Sequence, residues 1–146
     1  MKIGSLGHVV LKVSNLARSE QFYAGVLGMP VCARLDQGGM KMTFFSLGNH
    51  HDLAIAEVAG AQPAAGERRV GLRHVAFCIG TSLAELIDAK AHLEAAGVQT
   101  RPIDHGVTNS LYFHDPDGNG LEVYVDVSDA WRADPQQVAQ SAPLAI

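Results

Sequence analysis

Cysteine is scarce in this chain. Among 146 residues only Cys32 and Cys78 are present, far apart and outside any Cys-x-x-Cys pair. Two isolated thiols provide no disulfide framework and suit a reducing compartment. We therefore expect a cytoplasmic protein in which both cysteines are buried apolar residues.

Long apolar runs and blocks of basic charge are also missing. No run approaches the roughly 20 apolar residues that a membrane helix needs, and the opening MKIGSLGHVVLKV is interrupted by glycine, serine and histidine, which argues against a signal peptide. The formal net charge of -4 is spread over both signs without a basic run. The sequence therefore predicts small-molecule partners, with no nucleic acid and no membrane.

A repeated pattern organises the chain. The segments GHVVLKVSNLARSEQFYAGVLGM, from Gly7, and RHVAFCIGTSLAELIDAKAHLEAAGV, from Arg73, both contain His-Val and continue with strand-like alternation. Each then passes a Ser/Thr/Asn cluster suited to a helix N-cap, runs through a helical pattern and reaches a glycine. Three strand-like segments separated by turn residues follow each helix. This order predicts an α+β fold with the βαβββ unit present twice.

The repeat also sets the predicted boundaries. The two tandem βαβββ modules cover about residues 2–58 and 71–127 and together form a single domain of residues 1–127. A connection rich in Gly, Ala and Pro, residues 59–69, joins them. Residues 128–146 are predicted to form a C-terminal tail.

Three polar residues share one strand parity. His8 alternates with the apolar face of the first strand, His74 does so in the fifth strand, and Glu122 lies between Leu121 and Val123 in the last. Successive strand side chains point to opposite faces. If helices cover the apolar faces from outside, the three polar side chains point to the other side. In a mixed sheet that curls around a cavity they would converge.

Two imidazoles and one carboxylate on a rigid face are ligands suited to a divalent metal. With coordination positions left open, such a set fits catalysis by Fe(II) or Mn(II), and the lack of cysteine at these positions argues against structural zinc. We therefore predict that His8, His74 and Glu122 surround a metal-containing cavity.

The His-Val opening of each module and the segment DPDGNGLEVY resemble the vicinal oxygen chelate superfamily, which includes glyoxalases, bleomycin resistance proteins and dioxygenases. The resemblance covers nearly everything except the tail. It implies that His8, His74 and Glu122 are the metal ligands. It does not choose the reaction, because the scaffold serves dioxygenases, glyoxalases, epimerases, resistance transferases and metal-free binding proteins.

Three further residues resemble those of small one-domain type I extradiol ring-cleaving dioxygenases. NHHDLAI contains His51, and DHGVTNSLYF contains His105 and Tyr112, the tyrosine ten positions before Glu122. The resemblance implies that His51 is the acid/base and that His105 and Tyr112 orient the substrate. The implied reaction is catechol 2,3-dioxygenase-like insertion of dioxygen into a catechol-type diol, with Fe(II) or alternatively Mn(II). Small members often pair, so we expect a homodimer or larger homo-oligomer.

Alternatives stay open at this point. His50 neighbours His51 and is a second candidate for the acid/base. A glyoxalase I-like lyase commonly has a fourth ligand on the fourth strand, for which Glu57 is the candidate, and a drug-sequestering member of the fold would need no metal. His92 and His114 need only a surface location.

Overall fold

The computed structural model describes residue 1, residues 3–62 and residues 70–146. These fall into two compact units. The first contains the described residues up to 62 together with Asp115–Gly118, and the second contains residues 70–114 and 119–146. Most of the predicted connection, residues 63–69, lies outside the described residues.

The first unit follows the predicted βαβββ order. A short α-helix, α1, continues directly into one π-helical stretch after the first strand. Its elements are β1 (Val9–Val13), α1 (Leu16–Glu20), the π-helix (Gln21–Val26), β2 (Val31–Gln37), β3 (Met40–Phe45) and β4 (Leu53–Glu57). The strand order is β1-β4-β3-β2, with β1 and β4 parallel and the other neighbours antiparallel.

The second unit repeats this order and adds one strand. Its elements are β5 (Val75–Gly80), α2 (Leu83–Ala95), β6 (Arg101–Asp104), β7 (Thr108–His114), β8 (Gly120–Asp126), 3-10 turns at Ala130–Arg132 and Pro135–Ala139, and β9 (Ala142–Pro143). The sheet order is β5-β8-β7-β6-β9, with β5 and β8 parallel. Neither sheet of the described residues closes into a barrel, and the predicted α+β fold is confirmed.

Local sequence explains where the helices begin. Asn15 caps α1 by accepting a hydrogen bond from the backbone N–H of Arg18. Ser82 and Glu85 form a reciprocal capping box at the start of α2. Past the end of α2, Gly97 has φ +79°, a conformation that glycine adopts without a steric penalty.

Alternating apolar side chains form the cores. In β1, Leu11 and Val13 are buried while Lys12 is exposed, as strand parity predicts. The largest fully buried apolar side chains are Tyr23, Phe45, Leu53 and Ile55 in the first unit and Leu86, Leu111, Leu121 and Val125 in the second. No helix among the described residues has both the length and the apolar content needed to span a membrane.

The prediction of buried cysteines is wrong. Cys32 in β2 and Cys78 in β5 are both exposed free thiols. Cys78 alternates with Phe77, which is the more buried of the two, so the apolar face of β5 lies on the other side.

Candidate metal and catalytic site

The second unit brings together two of the predicted metal ligands. Its parallel pairing aligns Val75 with Leu121, which places His74, just before β5, close to Glu122 in β8. The Nε2 atom of His74 lies 3.1 Å from Oε2 of Glu122. At this distance the two side chains interact directly with each other. An imidazole and a carboxylate are also ligand types that a divalent metal accepts, so this pair would be able to hold one.

The carboxylate of this pair, Glu122, is buried. Glu122 is only 6% exposed although it is ionisable. A buried carboxylate is costly unless it is paired or coordinates a metal. The imidazole of His74 and an ion between the two side chains are partners that would offset this cost.

Tyr112 lies directly across from Glu122 in the β7–β8 pairing. Its hydroxyl is 2.9 Å from Nε2 of His105. Burial, the negative charge of Glu122 and a hydrogen bond to that carboxylate raise the pKa of Tyr112 to about 12, against the opposing effect of Arg101 and Arg73. The phenol therefore keeps its proton at neutral pH and acts as a hydrogen-bond donor.

His105 is placed by the turn between β6 and β7. Its backbone N–H donates to the carbonyl of Thr108, and the next N–H, that of Gly106, donates to Oδ1 of Asp104. The ring bridges two partners, because Nδ1 lies 2.6 Å from the carbonyl oxygen of Gln140 while Nε2 faces Tyr112. His105, Tyr112, Glu122 and His74 thus form one continuous polar chain in the second unit.

The first unit gathers three histidines. His8 immediately precedes β1, and His50 and His51 lie in the turn before β4. The ring centroids of His8 and His51 are 4.1 Å apart, and one ligand atom from each of the three rings lies within 4.8 Å of the others. Imidazoles are metal ligands and proton acceptors, so this cluster suits either role.

Hydrogen bonds within the turn hold these histidines in place. The backbone N–H of Leu47 donates to Asp52, and the Asn49 amide donates to the carbonyl of Gly7, next to His8. Oδ1 of Asn49 lies 2.9 Å from Nδ1 of His50. Amide and backbone contacts of this kind orient imidazoles in metal sites.

His51 is suited to accept protons. Partial burial lowers its pKa, the neighbouring His8 and His50 lower it further, and Asp52 acts in the opposite direction. A lowered pKa leaves more of the imidazole neutral near pH 7, which is the form that a general base requires. The ring of His50 lies edge-on to that of His51, with their centroids 4.5 Å apart.

Glu57 lies away from His8. Its carboxylate accepts a hydrogen bond from the backbone N–H of Leu16 at 2.8 Å, at the start of α1. In the β1–β4 pairing Glu57 is opposite Val13, four residues along β1 from the end next to His8, or about 13 Å at the usual strand rise. The structure thus gives this glutamate a helix-capping position.

His92 and His114 are exposed, in agreement with their predicted surface locations.

Two features of the site have no clear sequence signal. The DPDG turn belongs to the first unit, where Asp117 accepts hydrogen bonds from Ser14 and pairs with Arg18 at 2.6 Å, and Asp115 accepts one from Tyr23. The second feature is the Gln140 carbonyl beside His105. The sequence DPDG indicates a turn but does not show which residues its aspartates bind. The Gln140 carbonyl has no sequence signal, because every residue has a backbone oxygen.

A profile of the Glyoxalase/Bleomycin resistance protein/Dioxygenase superfamily matches residues 5–123. The chain belongs to this superfamily. Among its relatives, biphenyl-2,3-diol 1,2-dioxygenase 3 of Rhodococcus globerulus is 38% identical over 124 residues. The match covers 83% of this chain and 63% of that protein, so the chain spans less than two thirds of the dioxygenase.

Other superfamily members carry different names. A lactoylglutathione lyase of Neisseria meningitidis is 27% identical over 121 residues, covering 79% of this chain and 86% of the lyase. The glyoxylase/bleomycin resistance protein/dioxygenase domain from Frankia sp. EAN1pec has the same fold, with a TM-score of 0.72 at 23% identity, covering 86% of this chain and 99% of that one. These relatives share one superfamily and differ in the reactions that their names state.

Proposed function

We propose that this protein is an extradiol ring-cleaving dioxygenase that acts on a catechol-type diol with dioxygen, using Fe(II) as its metal, with Mn(II) as the second candidate. The polar chain from His105 through Tyr112 to Glu122 and His74 is the observation that carries the proposal. The 38% identity to a biphenyl-2,3-diol dioxygenase supports it further.

In this proposal each residue has a distinct task. His8, His74 and Glu122 hold the metal, which supplies the redox chemistry between catechol and dioxygen. His51 takes the proton that the diol loses on binding, because its lowered pKa keeps the ring neutral. His105 and Tyr112, which lie 2.9 Å apart, form hydrogen bonds with the substrate oxygens and orient the ring. Both oxygen atoms enter the product, a ring-opened semialdehyde-type acid or its ketone analogue.

A glyoxalase I-like isomerase is the second candidate, supported by the lyase relatives. Such an enzyme commonly uses a carboxylate on the fourth strand, but Glu57 binds the start of α1. The position in β4 that corresponds to Glu122 in β8 is Ala54. Lack of a carboxylate at that position favours the dioxygenase, whose substrates need open coordination positions.

A drug-sequestering protein without a metal is the third candidate. Binding a drug without a metal does not require the His74–Glu122 pair, whose atoms lie 3.1 Å apart. Measuring bound metal after purification separates this class from both enzymes.

The direct test uses protein purified without oxygen and loaded with Fe(II). A panel of catechols, including 2,3-dihydroxybiphenyl, is mixed with dioxygen while oxygen uptake and the absorbance of the ring-opened product are followed. We expect one dioxygen to be consumed for each diol cleaved. Isomerisation of a hemithioacetal without ring cleavage of any diol would replace the proposal with the glyoxalase.

We also propose that the protein forms a homodimer or larger homo-oligomer in the cytoplasm. The apolar side chains of Val10, Leu72 and Ile79 are each more than a third exposed, which provides surface for a subunit interface. Sedimentation equilibrium at micromolar concentration tests the assembly, and a single monomeric species would contradict it.

A further inference from the structure

The C-terminal segment of the second unit, defined here as residues 129–146, runs beside the turn that carries His105. Its strand β9 pairs with β6, which aligns Ala142 with Asp104 and Pro143 with Ile103. Gly106 has φ +76°, a conformation that favours glycine, and the end of the Gln140 side chain lies beside it. The segment therefore contacts the His105 turn.

The contact between this segment and His105 determines the tautomer of the ring. A backbone carbonyl oxygen only accepts hydrogen bonds, so at 2.6 Å from Gln140 the Nδ1 atom of His105 must carry the proton. The neutral ring then has its lone pair on Nε2. That lone pair faces the Tyr112 hydroxyl at 2.9 Å, so Nε2 is an acceptor for the tyrosine proton alongside the Glu122 carboxylate.

We propose that the carbonyl of Gln140 is a positioning group that holds His105 as the Nδ1–H tautomer, with Nε2 turned toward Tyr112. This inference rests on the proposed function, in which His105 and Tyr112 orient the diol. A ring free to rotate or exchange tautomers would present Nε2–H instead and would compete with Tyr112 as a donor. The segment thus sets which atoms near the substrate donate and which accept.

The first measurement needs no variant. Long-range proton–nitrogen correlation spectra of the full chain, metal-free and loaded with diamagnetic Zn(II), report which nitrogen of each imidazole is protonated. His105→Asn identifies its signals. We expect protonated Nδ1 and unprotonated Nε2 for His105 above the pH at which the ring becomes neutral. An Nε2–H tautomer would overturn the inference.

The second measurement loosens β9 in the full-length chain. The triple variant Ala142→Gly, Pro143→Gly, Leu144→Gly keeps every side chain that touches the substrate in the proposal. We expect a mixed His105 tautomer, unchanged Fe(II) content and a kcat lowered roughly 10–100-fold, the range typical of groups that orient catalytic side chains. Trp131→Ala is the matched control in the same segment, because its ring contacts Arg132 and its loss should leave the tautomer and kcat unchanged.

The readouts separate this inference from the proposed function. If the wild type cleaves no catechol but His105 is the Nδ1–H tautomer and the triple variant mixes it, the positioning stands and the dioxygenase does not. If the wild type cleaves catechols while the triple variant keeps both tautomer and kcat, the positioning role is wrong. If the triple variant fails to fold, an Nε2–H tautomer in the wild-type spectra still overturns the inference, and an Nδ1–H tautomer supports it.

Discussion

The two units have the same plan and differ in chemistry at equivalent positions. In each, a histidine precedes the first strand, and that strand pairs in parallel with the fourth strand of its module. The residue after Val9 pairs with Ala54, and the residue after Val75 pairs with Glu122. The second unit therefore places a carboxylate beside its histidine where the first has a methyl group.

The first unit has imidazoles in the turn before its fourth strand instead. His50 and His51 approach His8 there, whereas the turn that precedes β8 has the sequence DPDGN and contains no histidine. In the proposed function, the first unit supplies a nitrogen ligand and the general base, and the second supplies a histidine–carboxylate ligand pair and a phenol. Under that proposal, two units with the same strand order carry different ligand and proton-transfer roles.

The largest effect is expected from removing the residue that distinguishes the units. Glu122→Ala should abolish Fe(II) retention and catechol cleavage, because the carboxylate is the one anionic ligand proposed for the ion. Iron content after gel filtration and oxygen uptake measure both. Glu57→Gln is the matched control at the other fourth strand and should keep iron and activity. Full iron content in Glu122→Ala would show that the ligand assignment is wrong.

The next largest effect is expected on kcat when the imidazole of His51 in the first unit is removed. His51→Phe should retain Fe(II) and bind catechols but lose roughly 10²-fold or more in kcat, since it removes the proposed general base. Anaerobic catechol titration and steady-state kinetics separate binding from turnover. His50→Phe serves as the control, with kcat close to the wild type. If the two variants exchange these behaviours, His50 is the acid/base.

Strand periodicity made much of the second unit predictable. Because side chains alternate with period two and β5 and β8 are parallel, matching parity was enough to predict that His74 and Glu122 share a face. The roles of His105 and Tyr112 came from the resemblance, and their hydrogen bond agrees with a shared task.

Other features depend on contacts that parity does not encode. Glu57 has a side chain that can bind a metal, but it lies at the end of β4, where it accepts a hydrogen bond from the start of α1. The contact of His105 with the Gln140 carbonyl and the grouping of Asp117 with the first unit both depend on residues that are far apart in the sequence. Cysteine burial was predicted wrongly because small strand residues fit either face.

A moderate effect on the free energy of unfolding is expected at Asp117, which binds Ser14 and Arg18. Burial alone would raise the pKa of Asp117, but hydrogen bonds from Ser14 and the charge and hydrogen bond of Arg18 outweigh it, so the pKa is lowered. A lowered carboxyl pKa stabilises the fold above the unfolded pKa of about 3.9, and this contribution is lost as pH falls through the folded value.

Asp117→Asn should therefore lower the free energy of unfolding by about 2 kcal/mol at pH 7, a figure reduced because Arg18 is half exposed. Urea unfolding at pH 7 and near pH 3 measures the difference, which should shrink at the lower pH. Asp36→Asn, on the exposed edge of β2, should change stability by less than about 0.5 kcal/mol at both. An Asp117→Asn effect that does not vary with pH would contradict the role of the charge.

The smallest effect compares the helix caps of the two units. Ser82 accepts from the backbone N–H of Glu85, and the Glu85 carboxylate accepts from the backbone N–H of Ser82 in return, whereas Asn15 makes a single contact with the N–H of Arg18. Ser82→Ala should cost about 1 kcal/mol of unfolding free energy and Asn15→Ala somewhat less. Thr81→Ala controls for the substitution, because the contact of Thr81 with Glu85 uses its backbone N–H, which alanine keeps. Urea unfolding, analysed with one shared dependence of the unfolding free energy on urea concentration, ranks the three variants. A larger loss of unfolding free energy in Asn15→Ala than in Ser82→Ala would show that the single cap contributes more than the reciprocal one.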